Sequence, residues 1–109
     1  MIVPDQYTKV KAISEKDFNH TITLTARAFG WLVYHTYNSR RSEPGFPDLV
    51  LVKGNRILFR EVKTEIGRVS RRQKIWLQRI NEAGGDAGIW RPSNWDAIYD
   101  LLKNTEPRR

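Results

Sequence analysis

The sequence predicts an α/β domain with a central mixed sheet flanked by helices, and three observations carry that prediction. Apolar residues recur at helical spacing near the start. Aromatic and β-branched runs then fill the middle around a two-residue reversal. A second helical segment separates the last short apolar run from the earlier ones. The resulting order is α-β-β-β-α-β-α, in which the final strand follows a helix as in a crossover unit. The chain has 109 residues, enough for one domain, and its 39% hydrophobic content supports a small core.

The first helix is announced by Ser14-Glu15-Lys16-Asp17, a cap residue with an acid three positions on. Phe18, Ile22, Thr25/Ala26 and Phe29 continue the apolar stripe, and Gly30 marks its end. Glu15 lies three and seven residues before Phe18 and Ile22, so it projects from the same face. Trp31 to Tyr37 reads as a strand, and the polar run Asn38 to Gly45 reads as a loop. Asp48 to Lys53 and Arg56 to Lys63 are strands joined by Gly54-Asn55, a turn with Gly first that suits type II′. A loop around Gly67 follows. Ser70 caps a helix running to about Ala83, which Gly84-Gly85 ends. Asp86 to Arg91 is a short strand, and Pro92-Ser93 opens a last helix over Asn94 to Leu102. The reading divides the chain into a lead-in over 1–13, the domain over 14–103 and a polar tail over 104–109.

The formal net charge is +7, from 19 basic against 12 acidic residues, and this favours a polyanionic partner, nucleic acid before a membrane surface. With no cysteine there is no disulfide scaffold, thiolate metal site or thiol nucleophile. No apolar run is long enough to span a bilayer and no signal peptide is evident, so the expectation is a soluble cytoplasmic protein, a phage protein in its host's cytoplasm included. His20 and His35 lack a neighbouring His or Cys at ligand spacing.

The hairpin brings the chemistry together. If Gly54 and Asn55 form the turn, Lys53 faces Arg56 and Asp48 faces Glu61. Asp48, Val50 and Val52 then share a face with Ile57, Phe59, Glu61 and Lys63, while Leu49, Leu51, Leu58 and Val62 share the other. Two opposed carboxylates destabilise a sheet by roughly 0.2–1 kcal/mol, more if buried. A divalent cation with a preference for hard oxygens, Mg²⁺ or Mn²⁺, resolves the conflict. The Val62 carbonyl, between Glu61 and Lys63, is a candidate additional ligand. Lys63 is placed to position or deprotonate a water, or to neutralise charge developing on a phosphate.

These residues resemble a known family. Gly45-Phe46-Pro47-Asp48 with Glu61-Val62-Lys63 matches the PD-(D/E)XK nuclease signature. The fuller run, with Leu49, Thr64 and Ser70-Arg71-Arg72-Gln73, is similar to its virus-type replication-repair (VRR-Nuc) branch. The resemblance implies a restriction-endonuclease-like fold and metal-dependent DNA cleavage. It also implies a helix-borne Glu before the motif, which Glu15 matches, and a Gln on the following helix, which Gln73 matches. Gln73 also completes a capping box with Ser70. Small stand-alone members imply structure-specific endonucleases, with dimers on branched DNA of the Holliday-junction or flap kind.

Two basic clusters flank the motif: Arg40 and Arg41 before it, and Arg68, Arg71, Arg72, Lys74 and Arg79 after it. The second decorates a helix N-terminus, where backbone N–H groups and arginines both favour phosphate, so DNA-backbone contact is expected there. The four tryptophans are expected in the core, with Trp76 packed on the sheet. A homodimer is expected from the small footprint and from Trp31, Tyr34 and Tyr37, aromatic residues in excess of what one core buries. No small-molecule cofactor is expected. The competing readings are a non-catalytic module that holds nucleic-acid junctions and an RNA-directed nuclease of the same fold.

Overall fold

The computed structural model describes residues 13–36 and 41–107. Residues 1–12 of the lead-in, and with them Tyr37, Asn38, Ser39 and Arg40, lie outside the described residues. The elements are α1 (Glu15–Ala28), β1 (Leu32–His35), β2 (Leu49–Lys53), β3 (Arg56–Val62), α2 (Arg71–Glu82), β4 (Asp86–Trp90), a 3₁₀ turn (Pro92–Asn94) and α3 (Trp95–Asn104). The α-β-β-β-α-β-α order is the expected one.

The four strands lie in chain order, β1 and β2 antiparallel to their neighbours and β4 parallel to β3. A hairpin supplies the antiparallel β2–β3 pair locally, whereas the parallel β3–β4 pair needs α2 as its crossover. Gly54 sits at φ 61° while Asn55 keeps a negative φ, as a type II′ reversal requires. The register runs from Lys53↔Arg56 to Leu49↔Arg60 as the turn predicts.

One face of the sheet carries the core. Leu49, Leu51, Leu58 and Val62 are fully buried against Phe18, Ile22 and Ala26 of α1 and Ile98 and Leu102 of α3. Trp31 precedes β1 instead of starting it; its indole is buried and its Nε1 donates to the Leu102 carbonyl at 3.0 Å. The expectation that Trp31 exceeds the core's capacity is therefore wrong, because the last turn of α3 supplies both apolar cover and an acceptor. The opposite face is covered by α2 over β4, leaving Leu32, Tyr34 and Ile57 exposed on the β1–β3 side.

The first strand is shorter than its composition suggested, and β2 starts at Leu49 instead of Asp48. The last helix begins one residue after Asn94, whose Oδ1 accepts from the Arg91 N–H at 2.9 Å. No helix among the described residues is long and apolar enough to cross a membrane.

Candidate active site

The sheet ends in a built irregularity at Pro47-Asp48. Carrying the hairpin register two steps further would pair Val62 with Pro47. Proline has no N–H to give the Val62 carbonyl. The Val62 N–H in turn donates to Asp48 Oδ2 at 2.9 Å instead of to a backbone oxygen. Asp48 therefore leaves the ladder on the β3 side, which corrects its placement inside the strand, and its backbone carbonyl still accepts from the Thr36 N–H at 2.9 Å. Because the N–H and C=O of a strand residue point the same way, the Val62 carbonyl is turned toward the Asp48 carboxylate with no ladder donor opposite it.

Three carboxylates gather at this end. Glu15 from the first turn of α1, Asp48 and Glu61 each offer an oxygen within 4.8 Å of the others. Ser14 caps α1 by accepting from the Asp17 N–H at 3.1 Å, and burial of Phe18 and Ile22 lays the helix across the sheet, so Glu15 overhangs the strand end. Glu61 is 2% exposed, and its Oε1 is buried with no hydrogen-bond partner. Burial, then the neighbouring Asp48, pushes its carboxyl up to about 8, against the pull of Lys63. The Glu15 carboxyl is also raised, by burial first and Asp48 second. An orphaned buried oxygen among like charges is costly. This all-oxygen set fits a hard dication.

A second loop holds the other wall. Gly45 has φ 88°, and a Cβ there would fall 2.6 Å from the Arg72 backbone carbon. Glycine thus lets the loop press against the first turn of α2. Trp76 Nε1 donates to the Pro44 carbonyl at 3.1 Å, and the Phe46 ring meets Trp76 and Phe59 edge-on. The docked helix presents Gln73 in two roles at once. Its Oε1 accepts from the Ser70 N–H at 2.8 Å in the capping box, and its Nε2 donates to Glu61 Oε2 at 2.9 Å.

Lys63 follows Val62 with its Nζ 3.8 Å from Glu61 Oε2 and its side chain 14% exposed. Its loop is held by Arg91, which sequence reasoning did not single out. The Arg91 Nη1 donates to the carbonyls of Thr64 at 2.7 Å and Gly67 at 2.9 Å. No local pattern marks this contact, because the arginine arrives from the far end of β4. Of the basic residues, Arg71, Arg72 and Lys74 are exposed on the first turn of α2 beside Gln73, and Arg41 and Arg68 are exposed on the flanking loops. Arg40 lies outside the described residues.

Comparison with known proteins gives the family. The VRR-NUC domain model matches residues 6–94, so the chain belongs to the VRR-NUC family and is a member of a nuclease family. No curated protein and no solved structure matches it.

Proposed function

We propose that this VRR-NUC protein is a Mg²⁺- or Mn²⁺-dependent endonuclease that hydrolyses phosphodiester bonds in branched or distorted DNA. The observation that carries the reading is the cluster of Glu15, Asp48 and Glu61 around an unpartnered buried oxygen, with the Lys63 amine beside it. Asp48, Glu61 and the Val62 carbonyl would hold the cation, with Glu15 as a direct or water-linked fourth group. When bound, the cation acidifies water and polarises the phosphate. Lys63 holds positive charge next to the reacting phosphate and orients the attacking water. Gln73 fixes the Glu61 carboxylate through its Nε2–H donation to Oε2, which leaves Oε1 without a partner. Arg41, Arg68, Arg71, Arg72 and Lys74 contact flanking phosphates. They set affinity and salt dependence more than sequence choice.

A homodimer is part of the proposal. Leu32, Tyr34 and Ile57 are 74%, 64% and 52% exposed on one sheet face across β1 and β3. A two-fold partner on that face would bury them and set two sites for paired cuts. Light scattering should give twice the chain mass, and a monomer at working concentration would remove this part.

The test of the activity is a panel of duplex, flap, splayed-arm and four-way-junction DNA with Mg²⁺, Mn²⁺ or EDTA. Cleavage should require metal and fall about 10³-fold in Asp48→Ala and Lys63→Ala. Variants that cut as well as the parent overturn the reading. Tight metal-independent binding without cleavage would assign a junction-holding module instead.

A further inference from the structure

A groove of about 660 Å³ opens beside the acid cluster, between the outer face of α1 and the end of β1. Glu15 and Asp48 both line it and belong to the acid cluster, so it is continuous with the candidate site. Its wall is a stripe of α1. Lys16, His20 and Arg27 lie at i, i+4 and i+11 on one helical face, all exposed, and Leu24 adds an apolar surface 54% exposed. Over the span from Lys16 to Arg27 the helix rises ~16 Å, the length of a few nucleotides of an unpaired strand. The Arg71, Arg72 and Lys74 group lies in the first turn of α2, the helix that covers the sheet face opposite α1.

We propose that this groove binds an unpaired segment of the DNA strand being cut. This rests on the nuclease reading and names the part of the substrate that the site distinguishes. The phosphates leave the acid cluster along Lys16, His20 and Arg27, and a base lies on Leu24. Cations on both sides of the carboxylates let a strand continue past the reacting phosphate in both directions. An endonuclease needs that continuity. A groove walled by one helix stripe and a strand end takes a single strand, because stacking surface and backbone charge lie within reach of the same nucleotide. Asp17 also lines the groove and opposes this binding.

The test uses dye-labelled DNA duplexes carrying single-stranded arms of zero, two, four or eight nucleotides, with 5′ and 3′ arms made separately. Binding is followed by fluorescence anisotropy in EDTA and cleavage in Mg²⁺. Affinity should rise with arm length up to about four nucleotides and then level off. In the Lys16→Gln/Arg27→Gln variant, armed DNA should bind about 10-fold more weakly, and the slope of log Kd against log salt should shrink by about 1.4. The blunt duplex should be unaffected. Arg27→Gln should exceed Lys103→Gln, an equal charge loss on α3, and Asp17→Asn should tighten binding about twofold. Melting curves matching the parent's exclude unfolding as the cause. Indifference to arm length, or equal losses on armed and blunt DNA, overturns the groove. If no DNA is cut but the EDTA binding pattern holds, the catalytic reading fails and the groove stands.

Discussion

Arg60 and Glu61 are neighbours on β3 with opposite fates. Both are buried, at 7% and 2% exposure, and consecutive strand residues point to opposite faces of the sheet. On its face Arg60 is fully answered. Its guanidinium donates to the Asp86 carboxylate at 2.8 Å, to the Asp86 carbonyl at 2.7 Å and to the Phe59 carbonyl at 3.0 Å. It also lies 5.0 Å from the centre of the Trp90 ring. Burial works to raise the Asp86 carboxyl, yet hydrogen bonds and charge from Arg60 and Arg56 hold it below the usual carboxylate range. Glu61, one residue on, meets two more carboxylates, one distant amine and an amide, and keeps an oxygen without a partner. The first arrangement is closed and structural. The second is left open, as binding sites are, at the expense of the metal-free fold.

The sharpest break in this comparison is to remove one member from each side. Asp48→Asn should lose about 10³-fold in cleavage while its metal-free melting temperature holds or rises, since a like charge has gone and an amide oxygen can still accept from the Val62 N–H. Asp86→Ala should do the reverse, destabilising the fold by about 2–4 kcal/mol by leaving Arg60 buried and unpaired, with cleavage surviving below the new melting point. Comparing nicking rates with thermal melts of the two variants checks both halves.

Protonation sharpens it next. In the folded metal-free protein Glu61 keeps its proton up to about pH 8, whereas unfolded it titrates near 4.5. The folded state therefore binds more protons in that window, and stability falls as pH rises through it. Melting temperature in EDTA should decline from pH 5 to pH 9, and Glu61→Gln should flatten the decline. Mg²⁺ competes with that proton, so its stabilisation should grow with pH and reach about 2.7 kcal/mol at a hundredfold excess over Kd. A pH-independent melt of the parent in EDTA would remove the repulsion argument.

The smallest effect separates the two roles of Gln73. Gln73→Ala removes the side-chain half of the capping box and the Glu61 contact, and should cost about 1 kcal/mol together with part of the activity. Gln73→Glu keeps an oxygen for the Ser70 N–H but places a further carboxylate against Glu61. It should retain helix stability in Mg²⁺ while depressing the metal-free melt, as read by calorimetry with and without the ion.

What was legible in the sequence was local. Gly54-Asn55 set the hairpin register because a two-residue reversal leaves the strands only one pairing. The caps at Ser14 and Ser70 were readable because each is completed within three residues. Alternation along β2 and β3 put Asp48, Glu61 and Lys63 at one end of one strand pair. The VRR-Nuc motif was legible for the same reason, since its parts lie on a hairpin and the helix that follows.

Only the tertiary structure decided which distant groups meet those residues. Glu15 was on the right helical face, but its approach to Asp48 depends on how Phe18 and Ile22 pack. The Arg60–Asp86 and Arg91–Thr64 contacts join segments brought together by the parallel β3–β4 pairing, and no periodicity encodes a pairing across a crossover. Pro47 shows the division within one residue. Its missing N–H is written in the sequence, but the consequence, a Val62 carbonyl turned toward the acids without a ladder donor, exists only where the register sets the two residues opposite. Short-range sterics and hydrogen bonds are properties of neighbouring residues, whereas the site is a property of packing, and packing is settled by the whole core at once.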